Sequence, residues 1–220
     1  MSDSAQAQEW LYTQLSVSRE TMRELERFVT FLKYEAQHQN LISAATLGSS
    51  WMRHVVDSAQ LLKLPGVRYP AAPATWLDLG TGAGFPGLII ALLSDHHITL
   101  VESRARRVEY LERAIALLGL EERVTLLGKP LEKIPTSAFD IISARAFAPL
   151  PRLFEKAERF STDNTLWLLP KGRNAVTELH ETVALPKWRD RLAFNVTPSV
   201  TNSDAGILVG TMAGQRRHSA

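Results

Sequence analysis

The stretch from Thr75 to Leu88, TWLDLGTGAGFPGL, constrains this chain more than any other. An apolar run, Trp76-Leu77-Asp78-Leu79, enters a cluster of glycines at Gly80, Gly82, Gly84 and Gly87. A second apolar run, Leu88 to Leu93, leaves it. The pattern predicts strand, tight loop, helix. Glycines reach positive φ and let a ligand approach the backbone with no Cβ in the way, and Pro86 has the φ of a first helical turn. Such a loop is built to seat a nucleotide against a helix N-terminus.

Gly82-x-Gly84-x-x-Gly87 also satisfies the dinucleotide fingerprint, so the choice of nucleotide rests on the acids. Asp78 stands in the strand just ahead of the first glycine. A carboxylate there can hold the cationic amino-acid end of S-adenosylmethionine, directly or through water, and would repel a pyrophosphate. Glu102 closes the next apolar run, Ile98 to Val101, about 20 residues on, where an acid accepts both ribose hydroxyls. Both cofactors use the second carboxylate. Asp78 therefore favours S-adenosylmethionine over NAD.

The remainder of the chain is compatible with an intracellular enzyme. With 220 residues, 45% hydrophobic and 22% charged, it can bury one full core with an appendage. It has no cysteine, which removes disulfides and thiolate metal sites. The polar start, MSDSAQAQEW, has no signal-peptide core, and no apolar run approaches the roughly 20 residues that span a bilayer, so a cytoplasmic location is expected. Net charge is only +2: residues 1–70 carry seven basic and seven acidic groups, residues 71–220 eighteen and sixteen. A polyanion site must come from local clusters, of which Arg104/Arg106/Arg107, Arg145 with Arg152, and Lys171 with Arg173 are the candidates.

From Ser18 to Gln37, Met22, Leu25, Phe28, Val29, Phe31 and Leu32 recur at helical spacing behind Ser18 as N-cap. A second helix is expected from about Ser49 to Leu62, and Pro65-Gly66 with Pro70 to Ala74 forms a connector. Residues 1–70 read as an N-terminal helical cap, and residues 71–220 as the nucleotide-binding domain. There, strands are expected at Thr75–Leu79, Ile98–Glu102, Val124–Leu127, Asp140–Ala144 and Thr165–Leu169. Helices are expected at Pro86–Leu93, Arg104–Leu118, Leu150–Phe160 and Asn174–Val183. Their alternation indicates an α/β, Rossmann-like parallel sheet covered on both faces. Arg191–Val196 and Gly206–Met212 read as a closing antiparallel pair, and Ala213–Ala220 as a frayed tail.

In such a sheet ligands collect beyond the C-terminal strand ends. That gathers the glycine loop, Glu102, Arg145 in SARAFAPL and Lys171 in LLPKG into one candidate site. Ser94-Asp95-His96-His97 reads as a solvated turn. His54 and Asp57 lie three apart on one helical face, too few ligands for a metal, and a helix–helix hydrogen bond is the simpler reading.

Several segments together resemble the RsmG (GidB) family, whose members methylate N7 of a guanine in bacterial 16S ribosomal RNA. They are Asn40-Leu41-Ile42-Ser43, Arg53-His54-Val55-Val56-Asp57-Ser58, DLGTGAGFPG from Asp78, Val101-Glu102-Ser103 with Arg106-Arg107-Val108, SARAFAPL from Ser143, and Pro170-Lys171-Gly172. The resemblance implies a seven-stranded class I methyltransferase sheet preceded by helices. It implies that Asp78, Gly80, Thr81, Gly82, Gly84, Phe85, Glu102, Leu131, Glu132 and Arg145 hold the cofactor. Arg145, Lys171, His54 and Asn40, with Arg53, would face the reaction pocket. After the third strand, Gly128-Lys129-Pro130-Leu131-Glu132 departs from the family by its proline. Guanine N7 needs no base to attack a methyl group, and none is apparent. The expected partner is 16S rRNA in the small ribosomal subunit or its precursor, met by a monomer. A small-molecule acceptor, a non-catalytic RNA-binding or assembly module and, more distantly, a dehydrogenase are the alternatives.

Overall fold

The structure is a computed structural model that describes residues 1–67 and 73–214. Two helices open the chain, α1 (Asp3–Leu15) and α2 (Arg19–Glu35). Ser18 caps α2 as expected, its hydroxyl accepting from the Thr21 N–H at 3.1 Å. Periodicity does not announce α1, because its buried stripe is only Ala7, Leu11 and Leu15 in a polar stretch. Its position is fixed at long range instead: the Asp3 carboxylate accepts from the Trp51 and Met52 N–H groups at 3.0 and 3.3 Å. After a single turn, α3 (Ala44–Leu47), the expected second helix forms as a composite. A π-helical turn, Trp51–Val56, runs into α4 (Asp57–Ala59) and a 3-10 turn, Gln60–Lys63. Such widened turns re-aim side chains, and this one carries Arg53 and His54.

The sheet contains β1 (Thr75–Leu79), β2 (His97–Val101), β3 (Val124–Leu127), β4 (Ile141–Ala144), β5 (Leu166–Lys171), β6 (Leu192–Pro198) and β7 (Gly206–Met212). Its order is β3-β2-β1-β4-β5-β7-β6, parallel except for β7, which is antiparallel to both β5 and β6. Helices α5 (Gly87–Leu93), α6 (Ala105–Leu118), α7 (Leu150–Ala157) and α8 (Ala175–Ala184) cover it. Strand order reverses between β1 and β4, which places the ligand crevice beyond their C-terminal ends.

The predicted strands and the antiparallel closing pair are thus present, with ends shifted by a residue or two. Residues 70–72 of the predicted connector and residues 215–220 of the predicted tail lie outside the described residues. One expectation fails. His96 is buried rather than solvated, its Nδ1 accepting the Ala74 N–H at 3.0 Å.

Side chains alternate across the sheet. Trp76, Ile98, Leu100, Ile141 and Leu168 enter one apolar cluster; Leu77, Leu79, Ile142, Trp167 and Leu169 enter the other. The first cluster is continuous with Leu11, Leu25, Phe28 and Val55, so the N-terminal helices share their core with the sheet. Phe28, fully buried, meets Phe85 of the glycine loop edge-on at 5.6 Å. Phe28→Ala is expected to cost about 3–5 kcal/mol of stability. In urea unfolding it should lower the midpoint of the whole molecule in one transition; a separate early transition of the N-terminal helices would contradict a shared core.

Candidate active site

The glycine loop is held from below by a chain of buried hydrogen bonds. The Trp76 indole N–H donates to Ser143 Oγ at 2.8 Å, and the Ser143 hydroxyl donates to Asp78 Oδ1 at 2.8 Å. The Gly87 N–H donates to Asp78 Oδ2 at 3.0 Å. Asp78 is fully buried, and burial raises its pKa against the pull of these donors. Its carboxylate thereby clasps β1, β4 and the first turn of α5 together. A Cβ on Gly87 would stand 2.9 Å from Asp78 Oδ2 and 2.2 Å from Leu100, so only glycine allows this approach.

Above the clasp lies a cleft of about 310 Å³, whose walls include Gly80, Glu102, Leu131, Glu132, Lys129 and Phe147. Phe147 packs onto Gly80, where a Cβ would come within 2.5 Å of its ring and φ is +65°. Glu102 Oε1 accepts from the Ser103 and Arg104 N–H groups at 2.7 and 2.9 Å, which orients the carboxylate, and Oε2 lies 3.6 Å from Arg107 Nη1. Glu132 is exposed, and its ion pair with Lys156 holds its pKa below the usual range. An apolar wall of Leu131 and Phe147 facing an oriented acid at a strand end suits a nucleoside: a planar base on one side, ribose hydroxyls on the other.

A second cleft, of about 740 Å³, adjoins the first at Ala146, which lines both. Ala146 takes φ +53°, a strained region for a residue with a Cβ, costing about 1–2 kcal/mol. That turn sends Arg145 into the second cleft while Phe147 stays in the first. Arg145 Nη1 donates to the Arg53 carbonyl and to Asp57 Oδ2, both at 3.3 Å, and its guanidinium lies 5.3 Å from the Phe85 ring centre. Arg145 Nη2 donates to His54 Nδ1 at 3.2 Å. The Thr46 hydroxyl gives its proton to the Ser43 carbonyl at 2.9 Å, so at 3.2 Å it accepts from His54 Nε2. His54 is therefore the neutral Nε2–H tautomer; burial and the Arg145 and Arg53 charges lower its pKa to about 4. Lys171 Nζ donates to Glu178 at 3.0 Å and to the Ala148 carbonyl at 3.4 Å, and also borders this cleft.

Of the sequence-predicted site residues, Gly80, Glu102, Leu131 and Glu132 meet in the first cleft, and Arg145, Lys171, His54 and Arg53 in the second. The others fall elsewhere. Asp78 cannot reach a ligand in this arrangement, since both its oxygens are engaged beneath the loop. Thr81 and Gly84 are buried in the loop, while Gly82, at φ +59°, faces Arg107. Phe85 is buried under His54, with which it stacks at 5.0 Å. Arg145 borders the second cleft and not the first. Asn40 borders a third cleft, its carbonyl accepting from Arg107 Nη2 at 3.1 Å.

Sequence reasoning missed the groups that hold Arg145 in place. Asp57 Oδ1 accepts from Thr201 Oγ1 and Gln60 Nε2, each at 2.9 Å, and Gln60 Oε1 accepts from the Val200 N–H at 2.9 Å. The spacing of His54 and Asp57 was the only available signal. Instead of bonding to each other, the two grip Arg145 jointly. No group of three or more His, Asp or Glu among the described residues is placed to hold a metal ion.

A seven-stranded sheet of this order, with a glycine loop and an oriented acid at its switch point, is the fold of class I S-adenosylmethionine-dependent methyltransferases. Solved structures agree on the fold. An O-methyltransferase-like protein from Klebsiella pneumoniae aligns over 96% of this chain and 97% of its own with a TM-score of 0.60 at 20% identity. The O-methyltransferase from Bacillus cereus, in complex with SAH, aligns over 92% and 96% with a TM-score of 0.59 at 16% identity. Residues 21–202 match the GidB family, described as rRNA small subunit methyltransferase G. The ribosomal RNA small subunit methyltransferase G of Zymomonas mobilis is 50% identical over 206 residues, 92% of this chain and 90% of the relative. That of Sphingopyxis alaskensis is 46% identical over 211 residues, 96% and 87%. The chain belongs to the rRNA small subunit methyltransferase G family. It is an S-adenosylmethionine-dependent methyltransferase, and the first cleft fits that cofactor.

Two outcomes test this geometry. Asp78→Ala leaves the Gly87 N–H and the Ser143 hydroxyl without a buried acceptor, and is expected to cost about 2 kcal/mol or more in chemical denaturation. Cofactor affinity should fall with it, because the loop above Asp78 loses its anchor. Because the folded pKa of His54 lies below that of free imidazole, protonation favours the unfolded chain. Its stabilisation is full above a pH of about 6.5 and is lost as pH falls towards 4. The His54 ring resonances should titrate with a midpoint of about 4; a midpoint near the free value of about 6.5 would refute the buried, uncharged ring described here.

Proposed function

We propose that the enzyme transfers a methyl group from S-adenosylmethionine to N7 of a guanine in 16S ribosomal RNA. The RNA is presented in the small ribosomal subunit or a precursor particle, and the enzyme acts as a cytoplasmic monomer. In this reading residues 71–220 hold the cofactor through Gly80, Glu102, Leu131 and Glu132, and the cap, residues 1–70, supplies the far wall of the acceptor cleft through Arg53, His54 and Asp57. The bound cofactor supplies an electrophilic methyl group, which the in-plane lone pair of guanine N7 can accept without losing a proton.

The observation that carries the proposal is that neither His54 nor Asp57, the two titratable groups that hold Arg145, is available as a base in a cleft that also carries Arg53, Arg145 and Lys171. His54 is hydrogen-bonded at both ring nitrogens, and Asp57 is shared by Arg145, Thr201 and Gln60. An acceptor that must first be deprotonated would find no partner in either side chain. Arg145 and Lys171 serve the O6 edge or a phosphate, because a cation pressed on N7 would oppose the charge of the product. Catalysis then comes from positioning and from exclusion of water. Lys171, with a side chain 14% exposed, keeps one face towards the cleft.

Support for a monomer comes from the surface. Among the described residues the exposed large apolar side chains are scattered, with Tyr12 on α1, Tyr34 on α2, Val176 on α8 and Val200 in the last loop. No described helix is long and apolar enough to cross a membrane. The deciding experiment is transfer of labelled methyl to small subunits from cells lacking the modification, followed by nucleoside analysis. Label is expected in N7-methylguanosine; label in another nucleoside, or none in RNA, would refute the proposal. Arg145→Ala should lower transfer about 100-fold or more while cofactor affinity changes little.

A further inference from the structure

The third cleft lies between the end of α2 and the start of α6. It measures about 600 Å³ and is bordered by His38, Asn40, Arg104, Arg106 and Arg107. Arg104 and Arg107 also border the cofactor cleft, which in turn meets the acceptor cleft at Ala146. The three clefts are therefore neighbours, joined by shared wall residues.

The arginines along the third cleft differ in their commitments. Arg107 is used internally, bridging Glu102 and the Asn40 carbonyl. The side chains of Arg104 and Arg106 are exposed and make no hydrogen bond or ion pair among the described residues. Two of the nearby acids are already engaged: Glu35 pairs with Arg113 at 2.6 Å, and Glu102 accepts two backbone N–H groups. With its carbonyl bound to Arg107, Asn40 keeps its side-chain amide free at the rim of the cleft. Two unpaired guanidiniums and an amide bordering one open groove match phosphate and sugar oxygens.

We infer that the Arg104/Arg106 cleft binds the RNA backbone flanking the target nucleotide, so that the substrate strand crosses the cofactor cleft and is gripped on both sides of it. The inference rests on the RNA-methyltransferase reading above and adds a second anchoring surface to it. A strand held at Arg145 alone could pivot. Held also at Arg106, it has a fixed direction across the cofactor.

The test measures binding of the enzyme to unmodified small subunits across a salt series. Each phosphate contact removed should lower the slope of log affinity against log salt by about 0.7–0.9. Arg106→Ala is expected to show that drop, and Arg104→Ala/Arg106→Ala about twice it. Arg106→Lys should retain most of the slope. Arg106 lies outside the cofactor cleft, so cofactor titration of Arg106→Ala should match the wild type. An unchanged slope for Arg106→Ala with normal wild-type binding overturns this cleft alone. No binding of the wild type to subunits overturns the RNA reading together with it. A photocrosslinker attached at position 106 should label 16S RNA; exclusive labelling of a ribosomal protein means the groove takes a protein surface, and overturns the inference.

Discussion

A single buried carboxylate holds this architecture together. Asp78 joins two neighbouring strands and the first turn of α5 at one point, through donors that leave neither oxygen free. A buried charge is costly unless it is hydrogen-bonded, and here Ser143 and Gly87 each donate to one oxygen while Trp76 donates to the serine. The glycine loop above is thus fixed by what lies beneath it. On its other face Phe147 packs onto Gly80, and the first cleft takes its shape from both constraints.

The acceptor side is built on the opposite electrostatic logic. Arg145 is held by a neutral ring, an acid and a carbonyl, so its charge is only partly neutralised and its plane is fixed. His54 contributes by staying uncharged: a protonated ring would have no lone pair for the guanidinium and would repel it. Asp57 carries the opposite charge and ties the site to the loop between β6 and β7 through Thr201. Elements far apart in sequence, the π-helical turn, the end of β4 and the last loop, meet on one side chain.

Much of this was legible in the residues. The glycine loop, the Ser18 cap and the strand–helix alternation are local signals, and local physics reproduces them. The role of Asp78 could have been read from period two: Trp76 and Asp78 face the same side, the side on which α5 packs, so the carboxylate points into the layer below the loop. Asn40 and the Arg145 support failed for another reason. Both depend on contacts across 67 and 88 residues of sequence, which no local pattern encodes. Helix α1 escaped because three small or medium apolar side chains make a faint stripe, and its anchor is the distant Asp3 contact. His96 misled because a polar dipeptide beside a strand looks like a turn until its ring is seen to satisfy a backbone N–H.

The antiparallel β7 has a consequence for the order in which the site comes into being. Every residue named along the first cleft, from Gly80 to Phe147, precedes β5 in the chain, whereas the second cleft also draws on Ser199, Thr201 and Gly206. β6 reaches the sheet only by pairing with β7, which follows it in the chain. A chain emerging N-terminus first can thus present the residues of the first cleft before those of the second are available. The second cleft is complete only when β7 lies between β5 and β6 and the loop joining β6 to β7 closes on Asp57.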